Sequence, residues 1–278
     1  MSIEVTQQII SPAQEEDANK EAWQPPMPPT DLIFDDGEPL ESNCHRIAMN
    51  VLIRSFQQAN ANRNDFFTGG NMFIYYSSTQ ARNLDFKGPD FFVVLDVDGS
   101  KQRQGWVVWE ENGRYPDVIV ELMSPSTAKV DKTTKKTIYE RTFKTPDYFI
   151  YDPFEPTSLQ GWRLDANLRY QQITPDERGW LWCQSLGLWL GTWEGIIDRE
   201  TSVWLRFYNP EGNLVLLPEE AANQKADEAV QQAEAEKQKA DEAFQRAQAE
   251  SQRAQAESQR AEILAAQLRA LGVEPNML

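Results

Sequence analysis

One histidine, two cysteines and no long apolar run set the first limits on this 278-residue chain. No stretch approaches the roughly 18 consecutive apolar residues that a transmembrane helix needs, so no membrane contact is expected. The N-terminal sequence MSIEVTQQIISPAQEED lacks the basic and apolar regions of a signal peptide. Two cysteines, Cys44 and Cys183, are too few for a disulfide framework, and we expect free thiols in a reducing cytoplasm. The single histidine, His45, has neither zinc-type spacing nor a G-x-S-x-G motif to support a nucleophilic triad.

Basic residues are also scarce. The chain has 27 Lys and Arg against 43 Asp and Glu, which gives a net charge of −16. A uniformly acidic surface would argue against nucleic acid as a partner, because phosphate binding requires local positive charge. However, residues 1–40 alone carry nine acids and one base, and residues 219–278 carry twelve acids and seven bases. Residues 41–218 therefore hold 22 acids and 19 bases, a net charge of −3, which permits a nucleic-acid partner.

Composition divides the chain into three segments. Residues 1–40 are acidic and contain a cluster of four prolines, which predicts an extended arm lying along the folded body. Residues 41–218 contain eight of the nine tryptophans and most turn signals, which predicts a folded domain. Residues 219–278 are rich in Ala, Gln and Glu, which predicts a long helical tail.

The tail has an apolar row with the seven-residue period of a coiled coil. The row consists of Ala226, Ala233, Ala240, Ala247, Ala254, Ala261 and Leu268. Alanine buries little area, and the neighbouring row includes polar residues such as Lys237 and Ser251. Two interpretations stay open: homo-oligomerisation through residues 219–271, or a single solvated helix stabilised by alanine propensity and ion pairs.

The middle segment predicts an α/β fold with a mixed central sheet flanked by helices. Ser42 is a suitable N-cap for a helix over 43–60. Continuous apolar runs such as FFVVL and VIV indicate strands that are buried on both faces. The predicted strands cover 71–76, 89–97, 106–110, 117–123 and 148–151, with a polar helix over 128–143. Hairpins follow Pro153, and NLVLL at 213–217 is predicted to be the last strand.

Two carboxylates stand at positions where burial is expected. Asp90 directly precedes a buried strand, and Glu121 lies inside the apolar run VIVELMS. An isolated buried charge is unfavourable, so each carboxylate requires a partner. Glu121 could pair with a nearby lysine at a strand end. Alternatively, the two carboxylates could converge on Mg²⁺, which accepts one or two carboxylates together with waters and phosphate oxygens.

A lysine-rich segment follows Glu121 and supplies the positive charge that the chain otherwise lacks. Lys132, Lys135 and Lys136 are spaced to share a helical face, and Tyr139 lies one turn further on. An ordinary solvated helix face would have the same pattern.

Together these segments resemble the bacterial Uma-two family of restriction-endonuclease-like proteins, in the PD-(D/E)XK nuclease superfamily. The resemblance covers roughly residues 35–218 and rests on four motifs: PD at 89–90, VIVELMSPST at 118–127, D-x-x-x-K-x-x-x-Y at 131–139, and PDYFIYDP at 146–153. It implies a restriction-endonuclease-like core, here extended by extra β-hairpins and the C-terminal helix.

The resemblance also implies site residues. Asp90 and Glu121 correspond to the metal-binding carboxylates, with Mg²⁺ or Mn²⁺ as the cofactor. The superfamily lysine two residues after the acid is replaced here by Met123, and Lys135 stands at the matching place in the following helix. Lys132 and Lys136 are the alternatives to Lys135. Glu41 is a further acidic candidate, whereas His45 is expected to be a surface residue at a helix start.

The expected function is therefore Mg²⁺-dependent hydrolysis of phosphodiester bonds in DNA, with Asp90, Glu121 and Lys135 as catalytic residues. The alternative is a non-catalytic adaptor that keeps the nuclease fold and oligomerises through its C-terminal helix. A third hypothesis is that the acidic arm and tail cover the basic helix and restrain it.

Overall fold

A computed structural model describes residues 27–34, 42–83, 85 and 87–272. The helices are α1 (Asn43–Ala59), α2 (Ser78–Arg82), α3 (128–143) and α4 (Pro218–Ala270). The strands are β1 (Phe66–Gly69), β2 (Ile74–Tyr75), β3 (Phe91–Leu95), β4 (Trp106–Val107), β5 (Val118–Leu122), β6 (Asp147–Asp152), β7 (Glu155–Leu164), β8 (Tyr170–Gln172), β9 (Leu181–Cys183), β10 (Leu188–Ile197) and β11 (Glu200–Tyr208). Among the described residues, no helix is both long and apolar enough to cross a membrane.

The described residues form two compact units. The smaller unit contains residues 27–34, the described part of 72–88, and 103–114. Its β2 and β4 pair in parallel, and Phe73, Tyr75, Ala81 and Val107 form its core with Leu32, Phe34 and Trp109 packed against them. Residues 32 and 34 of the acidic arm are therefore part of a core.

The larger unit contains a mixed six-stranded sheet with the order β1-β3-β5-β6-β7-β8. Only β5 and β6 run parallel; the other neighbouring strands are antiparallel. One face packs against α1 through a continuous apolar cluster that includes Val51, Leu52, Val120 and Phe149. The other face contacts α3, where the Tyr139 ring packs 5.2 Å from the Tyr148 ring. The prediction of a mixed sheet covered on both faces by helices is confirmed.

The helix predictions are confirmed closely. Ser42 caps α1, and its hydroxyl accepts a hydrogen bond from the backbone N–H of His45. Helical structure covers 128–143, but its turns alternate. Ala128–Val130 and Lys136–Ile138 are α-helical, whereas Asp131–Lys135 and Tyr139–Phe143 have π geometry. Such wide turns are rare and recur at functional sites.

Two strand predictions are wrong, and one strand was missed. The predicted strand 106–110 ends at Val107, because Val108–Glu110 forms a 3₁₀ turn. The segment 213–217 makes only one β-bridge, from Leu214 to Tyr208, since the Val215 carbonyl accepts from the Arg206 guanidinium instead. The edge strand Phe66–Gly69 was not predicted; four residues beside a glycine pair give a weak periodic signal.

The long helix α4 is tied to the larger unit by one buried guanidinium. Arg206 is fully buried on β11, and its two terminal nitrogens donate to both Glu220 oxygens at 3.1 and 2.7 Å. The same Glu220 side chain accepts from the Leu217 backbone N–H at 2.7 Å. Burial raises the pKa of Glu220, but the hydrogen bonds from Arg206 and Leu217 lower it by more. The pKa of Glu220 therefore lies below its ordinary value. Beyond this attachment, α4 has no buried residue.

We expect Glu220→Gln to destabilise the protein by about 2 kcal/mol, because it removes the charged partner of a buried guanidinium. Since the folded-state pKa is depressed, this stabilisation is present above the unfolded-state pKa of about 4.3 and is lost as the pH falls through the folded-state pKa. Urea unfolding of wild type and variant from pH 7 to pH 3 measures both effects. Glu219→Gln is the matched control, because Glu219 forms an exposed pair with Arg54 and its loss should cost less than about 1 kcal/mol. Equal losses for the two variants would contradict the prediction.

Candidate active site

The two predicted carboxylates are brought together by the register of the sheet. Phe91 on β3 lies opposite Val120 on β5 in an antiparallel pair. Extending this register by one residue places Asp90 opposite Glu121. Asp90 Oδ2 also accepts a hydrogen bond from the Leu122 backbone N–H at 2.7 Å, which holds the Asp90 carboxylate against β5.

Glu121 is fully buried in the middle of the sheet, and helix α3 satisfies its carboxylate. Glu121 Oε2 lies 2.9 Å from Lys135 Nζ, and Glu121 Oε1 accepts a hydrogen bond of 2.6 Å from the Tyr139 hydroxyl. The pairing of Glu121 with a lysine, which the sequence left open, is therefore present. Each carboxylate oxygen has further lone pairs, so these contacts leave room for a cation.

Lys135 is held by a second carboxylate on its own helix. Asp131 is buried, and its Oδ1 lies 2.9 Å from Lys135 Nζ, a close ion pair that does not have hydrogen-bond geometry. The Asp131 backbone carbonyl accepts from the Tyr148 hydroxyl at 2.9 Å, which fixes this turn of α3 to β6. The ammonium group of Lys135 is thus positioned between two carboxylates.

Burial and charge shift the protonation equilibria of the site. Burial raises the pKa of Asp90 well above its ordinary value, and the nearby Glu121 charge raises it further. Burial also raises the pKa of Glu121, although Lys135 opposes this shift. For Lys135, burial lowers the pKa, but the surrounding carboxylates more than offset burial and raise it above its ordinary value. Lys135 is consequently a firmly protonated cation.

The chemistry of these donors fits a hard divalent cation. The pKa values of Asp90 and Glu121 are both raised, which means that their ionised forms are disfavoured. A cation bound between them would stabilise the ionised forms. Within the described residues, no group of three or more His, Cys, Asp or Glu could hold a metal ion. Mg²⁺ needs only one or two carboxylates, because waters and substrate oxygens complete its octahedral coordination. Asp90 and Glu121 are the residues that would bind it.

The remaining sequence candidates occupy different places. Lys132 is exposed, and Lys136 Nζ lies 4.0 Å from the centre of the Trp162 ring, so neither shares the position of Lys135. His45 is not the surface residue expected: it is buried, with Nε2 3.2 Å from the Met123 carbonyl oxygen. Glu41 lies outside the described residues.

Sequence reasoning assigned no role to Asp131 and Tyr139, although both contact the site. Asp131 and Tyr139 each lie four residues from Lys135. Because residues four apart share a helical face, this spacing could have indicated that all three lie on one side of the helix. Neither residue type identifies a partner across the sheet, so their contacts required the structure.

We expect Tyr139→Phe to lower the free energy of unfolding by about 2 kcal/mol, because a buried carboxylate loses a hydrogen-bond donor while the ring packing is kept. Tyr208→Phe is the matched control: its hydroxyl donates to a neutral acceptor, the Thr192 carbonyl, at 3.0 Å. That change should cost about 1 kcal/mol. Urea denaturation of both variants at pH 7 measures the difference, and an equal or smaller cost for Tyr139→Phe would refute this account of Glu121.

Comparison with protein-family models identifies the family of this chain. No curated protein matches the chain. Among solved structures, a chain from Anabaena variabilis ATCC 29413, described as a "putative nuclease", matches with 13% identity and a TM-score of 0.38. The match covers 58% of this chain and 86% of that chain. A family model, Uma2, described as "Putative restriction endonuclease", matches residues 21–195, which is more than half of the chain. The resemblance seen in the sequence is thereby confirmed, and the chain belongs to the Uma2 family.

Proposed function

We propose that this protein is a Mg²⁺-dependent endonuclease that hydrolyses phosphodiester bonds in DNA. The observation that carries the proposal is the convergence of two acids and a cation at one point of the sheet: Glu121 lies opposite Asp90 and contacts Lys135 at 2.9 Å. Membership of the Uma2 family supports a nuclease function. The metal and the DNA substrate are inferred from the chemistry of the site.

Asp90 and Glu121 would hold Mg²⁺, and Mn²⁺ could replace it, because both ions accept carboxylate and water ligands. When bound, such an ion lowers the pKa of a water molecule and neutralises charge on the scissile phosphate. Asp90 is kept in position by the Leu122 amide, and Glu121 is kept in position by Tyr139.

Lys135 is proposed to stabilise the negative charge that develops on the phosphate in the transition state. Its raised pKa argues against a role as general base, since a base must lose its proton near neutral pH. Asp131 acts as a positioning residue, because its ion pair holds the ammonium group beside Glu121. Position 123, where the superfamily pattern has a lysine, is Met in this chain. We propose that Lys135 of α3 takes the role of that lysine.

We expect wild-type protein to nick supercoiled plasmid DNA in Mg²⁺ and not in EDTA. Asp90→Ala, Glu121→Ala and Lys135→Ala should each reduce the rate by at least about 100-fold, because the first two remove proposed metal ligands and the third removes the cation proposed to stabilise charge on the phosphate. Lys237→Ala is the control, since Lys237 lies on the exposed helix α4, and its rate should stay unchanged. Circular dichroism confirms that each variant is folded. Equal rates for all five proteins would remove the site assignment.

The alternative function is a non-catalytic adaptor that oligomerises through α4. It is favoured by the 53-residue length of α4 and by exposed apolar residues on it, Phe244 and Leu264. The near-neutral body also lacks the strongly basic surface of most DNA-binding proteins. Cys44 and Cys183 are buried and free, which supports a cytoplasmic location for either function.

Isothermal titration calorimetry separates the two functions. A nuclease should bind Mg²⁺ or Mn²⁺ at Asp90 and Glu121, and Asp90→Asn should weaken this binding by about tenfold or more, because one of two carboxylate ligands becomes neutral. Asp98→Asn is a matched control on an exposed loop of the same unit. Wild-type protein that binds neither ion would favour the adaptor.

A further inference from the structure

Helix α3 carries three lysines that form no ion pair with a described carboxylate. Most arginine and lysine side chains of the described body form an ion pair, among them Arg54, Arg63, Arg103, Arg163 and Arg206. In contrast, Lys129, Lys132 and Lys136 have no carboxylate oxygen within ion-pair distance in the part of the chain that the structure describes. Three lysines that form no ion pair thus stand within eight residues of a chain whose net charge is −16.

Two of these lysines line an open groove between α3 and Tyr170 of β8. The groove has a volume of about 670 Å³, and its walls include Lys132, Thr133, Lys136, Thr137, Glu140 and Tyr170. Its one carboxylate is already engaged. Glu140 Oε1 accepts the Tyr170 backbone N–H at 2.9 Å, and Glu140 Oε2 lies 3.9 Å from Arg141. The groove therefore offers two cations to an anionic ligand.

Lys136 is held in place before any ligand binds. Its ammonium group lies 4.0 Å from the centre of the Trp162 ring, a cation–π contact, and Trp162 stacks in turn on Tyr148 with ring centres 5.7 Å apart. A fixed side chain loses less conformational entropy on binding than a free one. Lys132 lies one helical turn away from Lys136, so that the two cations follow each other along the groove.

The groove and the candidate active site share the helical segment 132–136. Lys135 contacts Glu121, whereas Lys132 and Lys136 line the groove, where Lys136 lies over the Trp162 ring. A polyanion bound along the groove lysines would thus be held by the element that also supplies the site lysine. A DNA strand is such a polyanion, with closely and regularly spaced phosphates.

We propose that the groove formed by Lys132 and Lys136 binds the phosphodiester backbone of DNA. This inference rests on the proposed nuclease function for its choice of ligand, but it concerns binding and does not require catalysis. Contacts of this kind fix the position of a duplex and carry no sequence information.

The test measures fluorescence anisotropy of a labelled DNA duplex in EDTA, where no cleavage occurs, from 20 to 200 mM salt. Lys132→Gln/Lys136→Gln should weaken binding about tenfold at low salt and reduce the slope of log K against log salt by about 1.8, the value for two phosphate contacts. The matched control is Lys225→Gln/Lys239→Gln, which removes the same charge from α4 and should change affinity less than about twofold. Lys136→Arg keeps both the charge and the ring contact and should retain binding.

Several results would overturn the inference. They are equal losses for the two double variants, no loss for the groove variant, or no binding of DNA by wild-type protein at low salt. Loss of binding to phosphatidylserine vesicles, with DNA binding unchanged, would assign the groove to a membrane surface instead. DNA binding that depends on the groove without any nicking would leave this inference standing and refute the nuclease. Nicking with unchanged affinity in the groove variant would do the reverse.

Discussion

The fold of the larger unit depends on how a carboxylate is accommodated in the centre of a sheet. Glu121 has no solvent exposure, and its charge would be prohibitive without partners. Two groups on α3 are its partners: the Lys135 ammonium and the Tyr139 hydroxyl. An arrangement this costly is rarely retained for stability alone, because apolar packing would serve as well or better. Asp90 lies directly opposite Glu121, and two neighbouring carboxylates with shifted pKa values are typical of a functional site.

A second buried acid shows what a purely structural solution looks like. Asp147 starts β6, and it is as deeply buried as Glu121. Arg163 donates to one of its oxygens at 2.8 Å, and the Ser185 backbone N–H and hydroxyl both donate to the other. No second carboxylate faces it in these contacts. Asp147 therefore connects β6 to Arg163 of β7 and to Ser185. The Glu121 cluster, in contrast, brings several carboxylates together, and a bound cation would reduce the repulsion between them.

Much of this organisation could be predicted from the sequence, for identifiable reasons. The apolar runs around Val93, Val120 and Phe149 are long enough to mark buried strands, and the resemblance to the Uma-two family pointed to Asp90, Glu121 and Lys135. The wrong predictions concern single segments and side chains. The backbone of 213–217 is held by the Arg206 side chain, which no periodicity reveals, and the burial of His45 depends on the carbonyl of Met123, 78 residues away. The sequence favoured Lys135 but left Lys132 and Lys136 as alternatives, and the contact of Lys135 with Glu121 is visible only in the structure.

The wide turns of α3 have a consequence for how this protein can vary. Each residue added to a helix rotates everything after it by about 100°. Asp131, Lys135 and Tyr139 reach the sheet and each other because of their spacing along α3. A one-residue deletion between 131 and 135 would bring Lys136 to the place of Lys135, whereas an insertion there would bring Thr134 to it. We therefore expect a change of length to be tolerated far better in the exposed turn 166–169 than between residues 131 and 139.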